Sequence, residues 1–391
     1  MTEFNRLYVL NQMSGPLCTE LCEGLVNEFP EGVFLITAHP SCLTSDFIKN
    51  TKLNIIRSPF YHKADLIQRF ISWLRYSIFV LPFFIRARRG DLFLVTSNPP
   101  LLIPFLFILR FFCRFSYSIL IYDIYPDVLV SNRLLSASSP LIQAWRILNV
   151  ASYLNATTIF TISHAMSQTI SGHSPRNQLV VQTIYPWADT SFLKPIPSCD
   201  NPYLSFFNPY LNAVILYSGN LGISHDIESI LEASLLFSSS DSPLFLFVGG
   251  GAKLSLVTDF IAAGHSSQVS HFPHQSYDRL PYLLSLADIS IVSLSSSMSS
   301  LMLPSKLFSY LASGSCILAI TEPTSELAHI VNSTNCGIVV PPNKPESIYN
   351  AITFLLSNPT ITRQYKLNAR RASLELFTLA KGISSFKSTL I

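Results

Sequence analysis

Charged side chains are scarce in this sequence, and their scarcity limits what the chain can bind. Asp, Glu, Lys and Arg make up 13% of its 391 residues, against roughly 25% in soluble domains. Hydrophobic residues make up 49%, so the chain is either unusually well buried or in contact with a membrane. The net charge is only +3, and basic residues are scattered apart from Arg86, Arg88 and Arg89. Nucleic-acid binding therefore receives little support.

Metal and disulfide chemistry also lack the patterns that they require. The seven cysteines form no CxxC pair and show no Cys/His spacing of the zinc type. We interpret them as small core residues in a reducing compartment, with disulfides as the less favoured alternative. The cysteines are Cys18, Cys22, Cys42, Cys113, Cys199, Cys316 and Cys336.

No segment is long and apolar enough to predict a membrane span. The runs Ser77–Ile85 and Leu101–Cys113 are shorter than the roughly 20 residues that a spanning helix needs, and Arg110 interrupts the second run. The N-terminal stretch MTEFNRLYVLNQMSG lacks the basic and apolar regions of a signal peptide. The sequence therefore predicts a cytoplasmic protein.

Short apolar, β-branched runs alternate with helix-length segments almost from end to end. The alternation is interrupted by the proline-rich stretch YPWADTSFLKPIPSCDNPYLSFFNPY. Strands separated by helices predict right-handed βαβ units and parallel sheets. The predicted strands are Leu7–Leu10, Val33–Thr37, Leu53–Ile56, Asp91–Thr96, Tyr117–Tyr122, Thr158–Ile162, Leu179–Ile184, Ala213–Tyr217, Leu244–Val248, Val269–Phe272, Ile289–Leu294, Ile317–Ile320 and Gly337–Val340.

The chain length predicts two domains, because one domain usually takes about 150 residues. We expect an N-terminal domain at residues 1–185, a linker and hinge at 186–211, and a second domain at 212–370. A C-terminal helix at 371–391 is expected to pack back on the first domain. The predicted fold class is α/β, with two doubly wound parallel-sheet domains facing each other across a cleft.

Three predicted strand-to-helix turns in the second half could hold an anion. Each turn alone is equally well explained by turn geometry. A lysine is unfavourable at a helix start unless water or an anion faces it, and Ser305 as N-cap would place Lys306 there. Because the turns share one sheet edge, they and their two lysines favour a diphosphate site. The turns are SGNLG at 218–222, GGGAK at 249–253 and LPSKLF at 303–308.

Two common nucleotide-binding motifs are absent. The stretch GGGAKL lacks the third glycine of GxGxxG, and no such motif opens the first βαβ unit. A Walker A loop is absent as well. The diphosphate site that we predict therefore belongs neither to a dinucleotide-binding fingerprint nor to a P-loop.

Several motifs, in order, resemble family 4 glycosyltransferases (glycosyl transferases group 1) of the GT-B fold. LYSGNLGISHDIESILEAS, FVGGGAK, LADISIVSL, LPSKLFSYLASGSCILAI and CGIVVPP look like their donor-binding half. In the first half, VTSNPPLL, YDIYPDVLV, TISHAMSQ and YPWADTSFLKP are similar to the branch with colanic-acid and O-antigen fucosyl- or N-acetylfucosaminyl-transferases. The likeness covers nearly the whole chain and implies a GT-B architecture of two Rossmann-like domains.

The resemblance also implies residues around the donor diphosphate. Lys253 and Lys306 would be its cationic partners, and Ser305 with neighbouring amides would contact phosphate oxygens. Glu326 matches a position near the nucleotide ribose, with a first-turn helix carboxylate as the equally supported alternative. Many members carry a pair of glutamates where this chain has Leu301 and Ser309. The implied donor-binding residues are Gly219, Asn220, Gly222, Gly250, Gly251, Lys253, Pro304, Ser305, Lys306 and Glu326.

Candidates for the acceptor side lie at predicted strand ends in the first half. Asp123 and Asp127 of YDIYPDV are expected to orient the acceptor hydroxyl, although either could instead cap the following turn. His164 of TISHAM is the third catalytic candidate, with a satisfied loop histidine as its alternative. Gly15, after the first strand, would let substrate approach the first helix closely. 

The segment Arg69–Gly90 mixes apolar and aromatic residues with five arginines and would suit insertion into an anionic leaflet. A core helix with a basic end is the equally supported alternative. We favour peripheral attachment at the inner membrane face, which would bring the enzyme close to a lipid-linked acceptor.

These observations predict a glycosyltransferase of cell-surface polysaccharide biosynthesis. It would move a sugar from a nucleotide-diphosphate sugar to a saccharide or polyprenyl-linked saccharide. The resemblance implies a retaining reaction, and lysines with helix N-termini could stabilise the leaving group without a metal or other cofactor. Two alternatives stay open: a GT-B-like sugar-nucleotide epimerase, and a non-catalytic partner subunit of a glycosyltransferase.

Overall fold

The computed structural model describes residues 4–39, 53–62, 66–174, 179–205, 213–238, 242–265 and 267–390. Cys42 and residues 206–211 of the predicted linker lie outside these ranges. By their contacts, the residues divide into two compact units. The first unit is Met1–Pro186 together with Leu379–Ile391, and the second unit is Trp187–Thr378.

Within its described part, the first unit contains a sheet of seven strands, all paired in parallel. Their spatial order is β3-β2-β1-β4-β5-β6-β7, so the order reverses between β1 and β4. Side chains of β4 are buried at every position, as expected for a strand covered by helices on both faces. The strands are β1 (Arg6–Leu10), β2 (Val33–Thr37), β3 (Leu53–Arg57), β4 (Asp91–Thr96), β5 (Ser116–Ile121), β6 (Ile159–Thr161) and β7 (Val181–Thr183).

Local sequence explains where several helices of the first unit begin. Proline occupies the first turn of the helices that start at residues 16 and 140, where its missing N–H costs nothing. Ser163 caps the helix after β6 by accepting a hydrogen bond from the Met166 amide at 3.1 Å. The helices are α1 (Pro16–Leu25), α2 (Leu66–Ile85), α3 (Leu102–Phe112), α4 (Asp127–Ser131), α5 (Pro140–Leu154) and α6 (His164–Gly172).

The second unit repeats this architecture with a six-stranded parallel sheet among its described residues. Its order is β10-β9-β8-β11-β12-β13, so the order reverses between β8 and β11. The strands are β8 (Val214–Ser218), β9 (Leu244–Val248), β10 (Val269–Phe272), β11 (Ile289–Ser293), β12 (Cys316–Ile320) and β13 (Gly337–Val340).

Helices cover both faces of the second sheet. Its core packs apolar side chains of β8, β9, β11 and β12 against the helices at residues 228–234 and 345–357. The helices of this unit are α7 (Glu228–Ser234), α8 (Leu254–Phe260), α9 (Leu280–Ser285), α10 (Lys306–Ala312), α11 (Glu326–Thr334), α12 (Pro345–Ser357) and α13 (Pro359–Glu375).

The structure confirms the predicted α/β class with two doubly wound parallel sheets. Every predicted strand is present, with ends that differ by no more than two residues, and each sheet is parallel and doubly wound. Buried apolar runs between turn residues were therefore sufficient to locate the strands.

Part of the proline-rich stretch that predicts a linker is bound to the second unit. Arg370 of α13 donates hydrogen bonds to the carbonyls of Thr190 at 2.9 Å and Leu193 at 2.8 Å. The Asn201 side chain donates to the Tyr282 carbonyl at 2.8 Å. Residues 187–205 thus belong to the second unit, fixed by the Arg370 side chain and by their own Asn201 side chain.

The chain ends in helix α14 (Leu379–Leu390), which belongs to the first unit. Lys387 forms an ion pair with Glu28 at 2.6 Å, and the Phe386 ring lies 4.4 Å from that of Phe160. A side chain at Gly24 of α1 would collide with Ile383, so this glycine permits the close approach of the two helices.

Candidate functional site

The reversal of strand order in the second unit defines a crevice at the carboxyl ends of β8 and β11. Ligands of open parallel sheets bind at such reversal points. The glycine turn after β8 begins at Gly219, and the loop after β11 leads to Lys306 at the start of α10. Two of the three stretches singled out in the sequence therefore meet at this crevice.

The glycine turns after β8 and β9 are hydrogen-bonded to each other. The Gly219 amide donates to the Val248 carbonyl at 2.8 Å, and the Leu221 amide donates to the Gly250 carbonyl at 2.8 Å. The Lys253 amide returns a bond to the Leu221 carbonyl at 3.0 Å. The two turns consequently form one rigid backbone surface.

Glycine is required in these turns for two reasons. Gly219, Gly249 and Gly251 have φ angles of 119°, 132° and 143°, which L residues rarely adopt. A side chain on Gly249 would collide with the Gly219 carbonyl, and one on Gly251 would lie 2.6 Å from Oδ1 of Asn220. Turn geometry and close backbone approach thus account for these glycines even without a ligand.

Lys306 is the residue whose setting calls for a ligand. Its ammonium lies 3.6 Å from the centre of the Tyr217 ring, a cation–π contact. Nζ is buried and has no hydrogen-bond partner among the residues that the structure describes. Burial lowers the pKa of Lys306 to about 7, so the site destabilises the charge that it contains.

The position of Lys306 at the helix start agrees with the sequence prediction. Ser305 is the N-cap residue of α10, but it is exposed and its hydroxyl makes no capping hydrogen bond. Lys306 is the first helical residue, and its Nζ lies 3.8 Å from where a Cβ on Gly219 would be. The ammonium thus faces the glycine turn of β8, while the Ser305 hydroxyl is not used by the helix.

Tyr310 connects α10 to the end of β8 and was not singled out from the sequence. Its hydroxyl accepts a hydrogen bond from the Ser218 amide at 2.7 Å and donates to the Ser218 carbonyl at 3.2 Å. Because Tyr310 follows Lys306 by one helical turn, both side chains point to the same strand end. The four-residue spacing between Lys306 and Tyr310 was the feature of the sequence that could have indicated this role.

His225 is a second residue that the sequence analysis missed. Its Nδ1 donates to the Ser293 carbonyl at the end of β11, which fixes the ring. Burial, and then the nearby Lys306, lower the pKa of His225 to about 4, so the ring is neutral at physiological pH. A neutral ring with Nδ1 protonated leaves Nε2 as a hydrogen-bond acceptor.

Lys253 is placed beside the same turns, but its charge already has a partner. Nζ lies 2.7 Å from Oε2 of Glu228 and 2.7 Å from the His225 carbonyl. Glu228 opens helix α7, where a carboxylate is favourable. Of the two lysines predicted for the diphosphate, only Lys306 is thus without such a partner in the described residues.

Other predicted donor residues flank α10 and α11. Pro304 is buried and its carbonyl accepts the Leu307 amide at 3.2 Å. Glu326 is buried in the first turn of α11, whose N-cap Ser325 accepts the Ala328 amide at 3.0 Å. Glu326 is therefore a carboxylate in the first turn of a helix, which is the alternative given for it from the sequence.

An apolar residue and a small polar residue occupy the two positions where many family members carry glutamate. Leu301 is buried, and Ser309 is half-buried within α10. Neither residue can supply the charge of a carboxylate. 

The four acceptor-side candidates lie in the first unit with separate surroundings. Asp127 opens α4 and forms an ion pair with Arg146 at 2.6 Å. His164 is exposed, and its Nδ1 lies 3.2 Å from the Thr183 hydroxyl. Gly15 caps α1, and a Cβ there would meet no atom of the described residues within 4 Å. 

Asp123 differs from Asp127 and His164 because its side chain has no hydrogen-bond or ion-pair partner among the residues that the structure describes. Its amide donates to the Ser97 hydroxyl at 3.3 Å, but its carboxylate forms no ion pair within the described ranges. Burial raises the pKa of Asp123 to about 6. A carboxylate with this pKa is ionised at neutral pH and is a better proton acceptor than an ordinary aspartate.

Comparison with known proteins finds a family that matches most of the second unit. The family described as "Glycosyl transferases group 1" matches residues 209–372. The probable glycosyltransferase WbjE of Pseudomonas aeruginosa is 28% identical over 269 residues, which are 68% of this chain and 66% of that protein. The putative colanic acid biosynthesis glycosyl transferase WcaI of Escherichia coli K12 is 31% identical over 39% of this chain and 38% of its own length. The chain thus spans less than two thirds of either relative.

Solved structures show the same fold over nearly the whole chain. Sucrose-phosphate synthase from Thermosynechococcus elongatus has a TM-score of 0.76 at 15% identity and covers 99% of this chain and 98% of its own. HepE from Anabaena, in complex with UDP, has a TM-score of 0.71 at 14% identity and covers 98% and 99%. These likenesses confirm the two-domain α/β fold, GT-B, that the motifs implied. Residues 209–372 match the glycosyl transferases group 1 family, and the chain as a whole is similar to glycosyltransferases.

Proposed function

We propose that the protein is a glycosyltransferase of polysaccharide biosynthesis that uses a nucleoside-diphosphate sugar as donor. The observation that carries the proposal is the buried Lys306 ammonium, without a hydrogen-bond partner in the described residues, at the strand reversal of a group 1 domain. A diphosphate placed there would supply the missing negative charge and hydrogen-bond acceptors. That HepE, which has the same fold, was solved with UDP supports a nucleotide-containing donor.

Lys306 would act mainly as the bond between the sugar and the diphosphate breaks. Negative charge then develops on the departing phosphate oxygen, and a cation in a dry site stabilises it strongly. The amides at the start of α10 and the hydroxyl of Ser305 would bind further phosphate oxygens. These groups suffice for a metal-independent reaction, and we propose that the anomeric configuration is retained, as the family resemblance implies.

On the acceptor side, we assign Asp123 the role of accepting a hydrogen bond from the attacking hydroxyl. Asp127 is neutralised by Arg146, and His164 is bound to Thr183, so neither offers a comparable free carboxylate or ring. The raised pKa of Asp123 favours proton acceptance near pH 7. The described residues leave space beside Gly15 for a saccharide at the end of β1.

We also propose that the first unit docks on an anionic bilayer through α2 and α3. Among the described helices, none is long and apolar enough to cross a membrane. Residues 66–90, however, carry five arginines and no acidic residue. An apolar helix face with basic residues suits an anionic lipid surface. Exposed apolar side chains on these two helices include Ile67, Ile71, Leu74, Ile78, Ile85, Phe111 and Phe112.

The donor is tested by thermal-shift and calorimetric titration with UDP, GDP, ADP and their sugars, followed by product analysis with acceptor oligosaccharides. The expected result is a rise in melting temperature with one nucleotide class, because a ligand of the folded state stabilises it. NMR of the product would then report the anomeric configuration. Donor isomerisation without an acceptor would show an epimerase, and absence of all nucleotide binding would overturn the proposal.

Membrane docking is tested by co-sedimentation with phosphatidylglycerol vesicles. Replacing Phe111 and Phe112 with serine, whose positions are 73% and 82% exposed, should reduce the bound fraction severalfold. The matched control is the pair Phe354→Ser and Leu367→Ser, which are exposed on the second unit. Equal binding by both double variants would contradict docking through α3.

A further inference from the structure

A cavity of about 270 Å³ lies in the first unit, away from the carboxyl ends of its strands. Arg6 is the first residue of β1, and the cavity is therefore at the amino end of that strand, with the end of α2 as its other wall. Substrates of doubly wound sheets bind at the opposite edge. The lining residues are Arg6, Tyr8, Pro82, Phe83, Arg86 and Arg88.

The charges around this cavity are unbalanced. Three of its six lining residues are arginines, and none of the six is acidic. Arg86 and Arg88 are exposed and form no ion pair with any described residue. The carboxylate of Asp91 is close, but it accepts the Arg88 amide at 2.8 Å and lies 3.9 Å from Nη1 of Arg6.

Arg6 is held in place before any ligand arrives. Its guanidinium forms an ion pair with Glu31 and donates to the Tyr8 hydroxyl at 3.1 Å. The same group lies over the rings of Tyr8 at 5.9 Å and Phe34 at 5.5 Å. Its Nε is buried and has no hydrogen-bond partner in the described part of the chain. A fixed guanidinium binds an anion with less loss of entropy than a free one.

Tyr8 adds a neutral donor to this wall. Its ring is stacked between those of Phe34 at 5.1 Å and Phe93 at 5.0 Å, so it cannot turn away. Because the hydroxyl already accepts a hydrogen bond from Arg6, its own proton is available to an anion in the cavity. Pro82 and Phe83 give the cavity an apolar side.

We propose that this cavity binds a phosphate monoester or diester. Guanidinium groups match phosphate oxygens in a bidentate geometry, and Arg86 and Arg88 have no competing carboxylate partner in the described residues. The volume equals roughly nine water molecules at about 30 Å³ each, which holds a phosphate with a glycerol-sized group. The phosphate comes from a lipid headgroup or from a soluble ester. The lipid source rests on the membrane docking proposed above, whereas phosphate binding itself does not.

The first experiment titrates sn-glycerol 3-phosphate into the full chain carrying Lys306→Ala, so that the donor site does not contribute. Adding Arg86→Ala and Arg88→Ala should weaken binding at least about tenfold, since each charge-assisted bond contributes substantially. The matched control adds Arg75→Ala and Arg114→Ala, which remove the same charge from the same region but do not line the cavity. The control should bind normally.

The second experiment measures co-sedimentation of the same double variants, without Lys306→Ala, with phosphatidylglycerol vesicles. A larger loss for the Arg86/Arg88 variant than for the Arg75/Arg114 variant supports a lipid headgroup in the cavity. If the Arg86/Arg88 variant loses binding of sn-glycerol 3-phosphate but sediments with vesicles as the control does, the ligand is a soluble ester. Equal behaviour of the two double variants in both experiments overturns the proposal. UDP binding should be unchanged in the Arg86/Arg88 variant. Failure of the phosphate-cavity proposal can therefore be distinguished from failure of the proposed donor site.

Discussion

The carboxyl edges of the two sheets are built differently. In the second unit, hydrogen bonds join the glycine turns, and Tyr310 fixes α10 to the end of β8. In the first unit, Asp127 and His164 are each bound to a different neighbour, and a Cβ on Gly15 would contact none of the described atoms. Under the proposed function, the edge of the second unit is preorganised for one donor ligand, whereas the edge of the first unit leaves room for acceptors of varied shape.

The two lysines at the carboxyl edge of the second unit's sheet also differ in how fully their contacts are satisfied. Lys253 is neutralised by Glu228, while Lys306 rests on an aromatic ring without a hydrogen-bond acceptor among the described residues. A lysine that is buried without an anion lowers the stability of the folded protein as long as it is charged. An anionic ligand removes this cost, so the fold itself favours binding.

The largest effect is expected from Lys306→Ala. Transfer activity should fall by about a hundredfold to a thousandfold, as it does when a donor to a developing negative charge is removed. The melting temperature should not fall, because the variant removes a buried charge rather than a satisfied contact. Steady-state rates and thermal unfolding check both points. Lys366→Ala, on α13 of the same unit, is the control. Wild-type turnover in Lys306→Ala would contradict the distinct role assigned to Lys306.

A slightly smaller loss is expected from Asp123→Asn. The rate constant for transfer should fall by about a hundredfold, while UDP affinity stays unchanged. Because the protonated acid cannot accept the hydroxyl proton, wild-type activity should decline as the pH falls below about 6, the pKa of Asp123. Asp127→Asn is the comparison variant. If Asp127→Asn had the larger effect on the rate, the assignment would pass to Asp127 and its partner Arg146.

Tyr310→Phe tests whether the donor edge is held together by its hydroxyl. The variant loses two hydrogen bonds to Ser218, which should cost about 1 kcal/mol of unfolding free energy and weaken UDP binding severalfold. Tyr117→Phe is matched to it, since its buried hydroxyl donates to the Ser152 carbonyl at 2.6 Å in the first unit. Similar destabilisation with normal UDP affinity is expected there. Equal affinities in both variants would contradict a positioning role for Tyr310.

The sequence was most informative about the strands and the glycine turns. Buried β-branched runs have one stable arrangement between covering helices, so the strands could be located from their pattern. The turns needed glycines at positive φ, which also leaves a local signal at Gly219, Gly249 and Gly251. The positions of the turns could therefore be predicted.

Pairing between distant side chains could not be predicted in the same way. Lys253 forms an ion pair with Glu228, and Lys306 contacts the Tyr217 ring. Both contacts depend on side-chain directions that no local sequence pattern indicates. The hydroxyl bonds of Tyr310 join residues 92 positions apart. Sequence reasoning thus gave both lysines one role, and the structure shows different environments for them.

The protonation state of Lys306 tests the proposed diphosphate site most directly. Its pKa of about 7 means that most molecules carry a neutral lysine at pH 8 before the donor binds. A bound diphosphate raises this pKa, so binding must take up a proton. Calorimetry of UDP binding at pH 8, in buffers of different ionisation enthalpy, should show uptake of about one proton by the wild type and none by Lys306→Ala. Tight UDP binding by the wild type without proton uptake would contradict a diphosphate bound to Lys306.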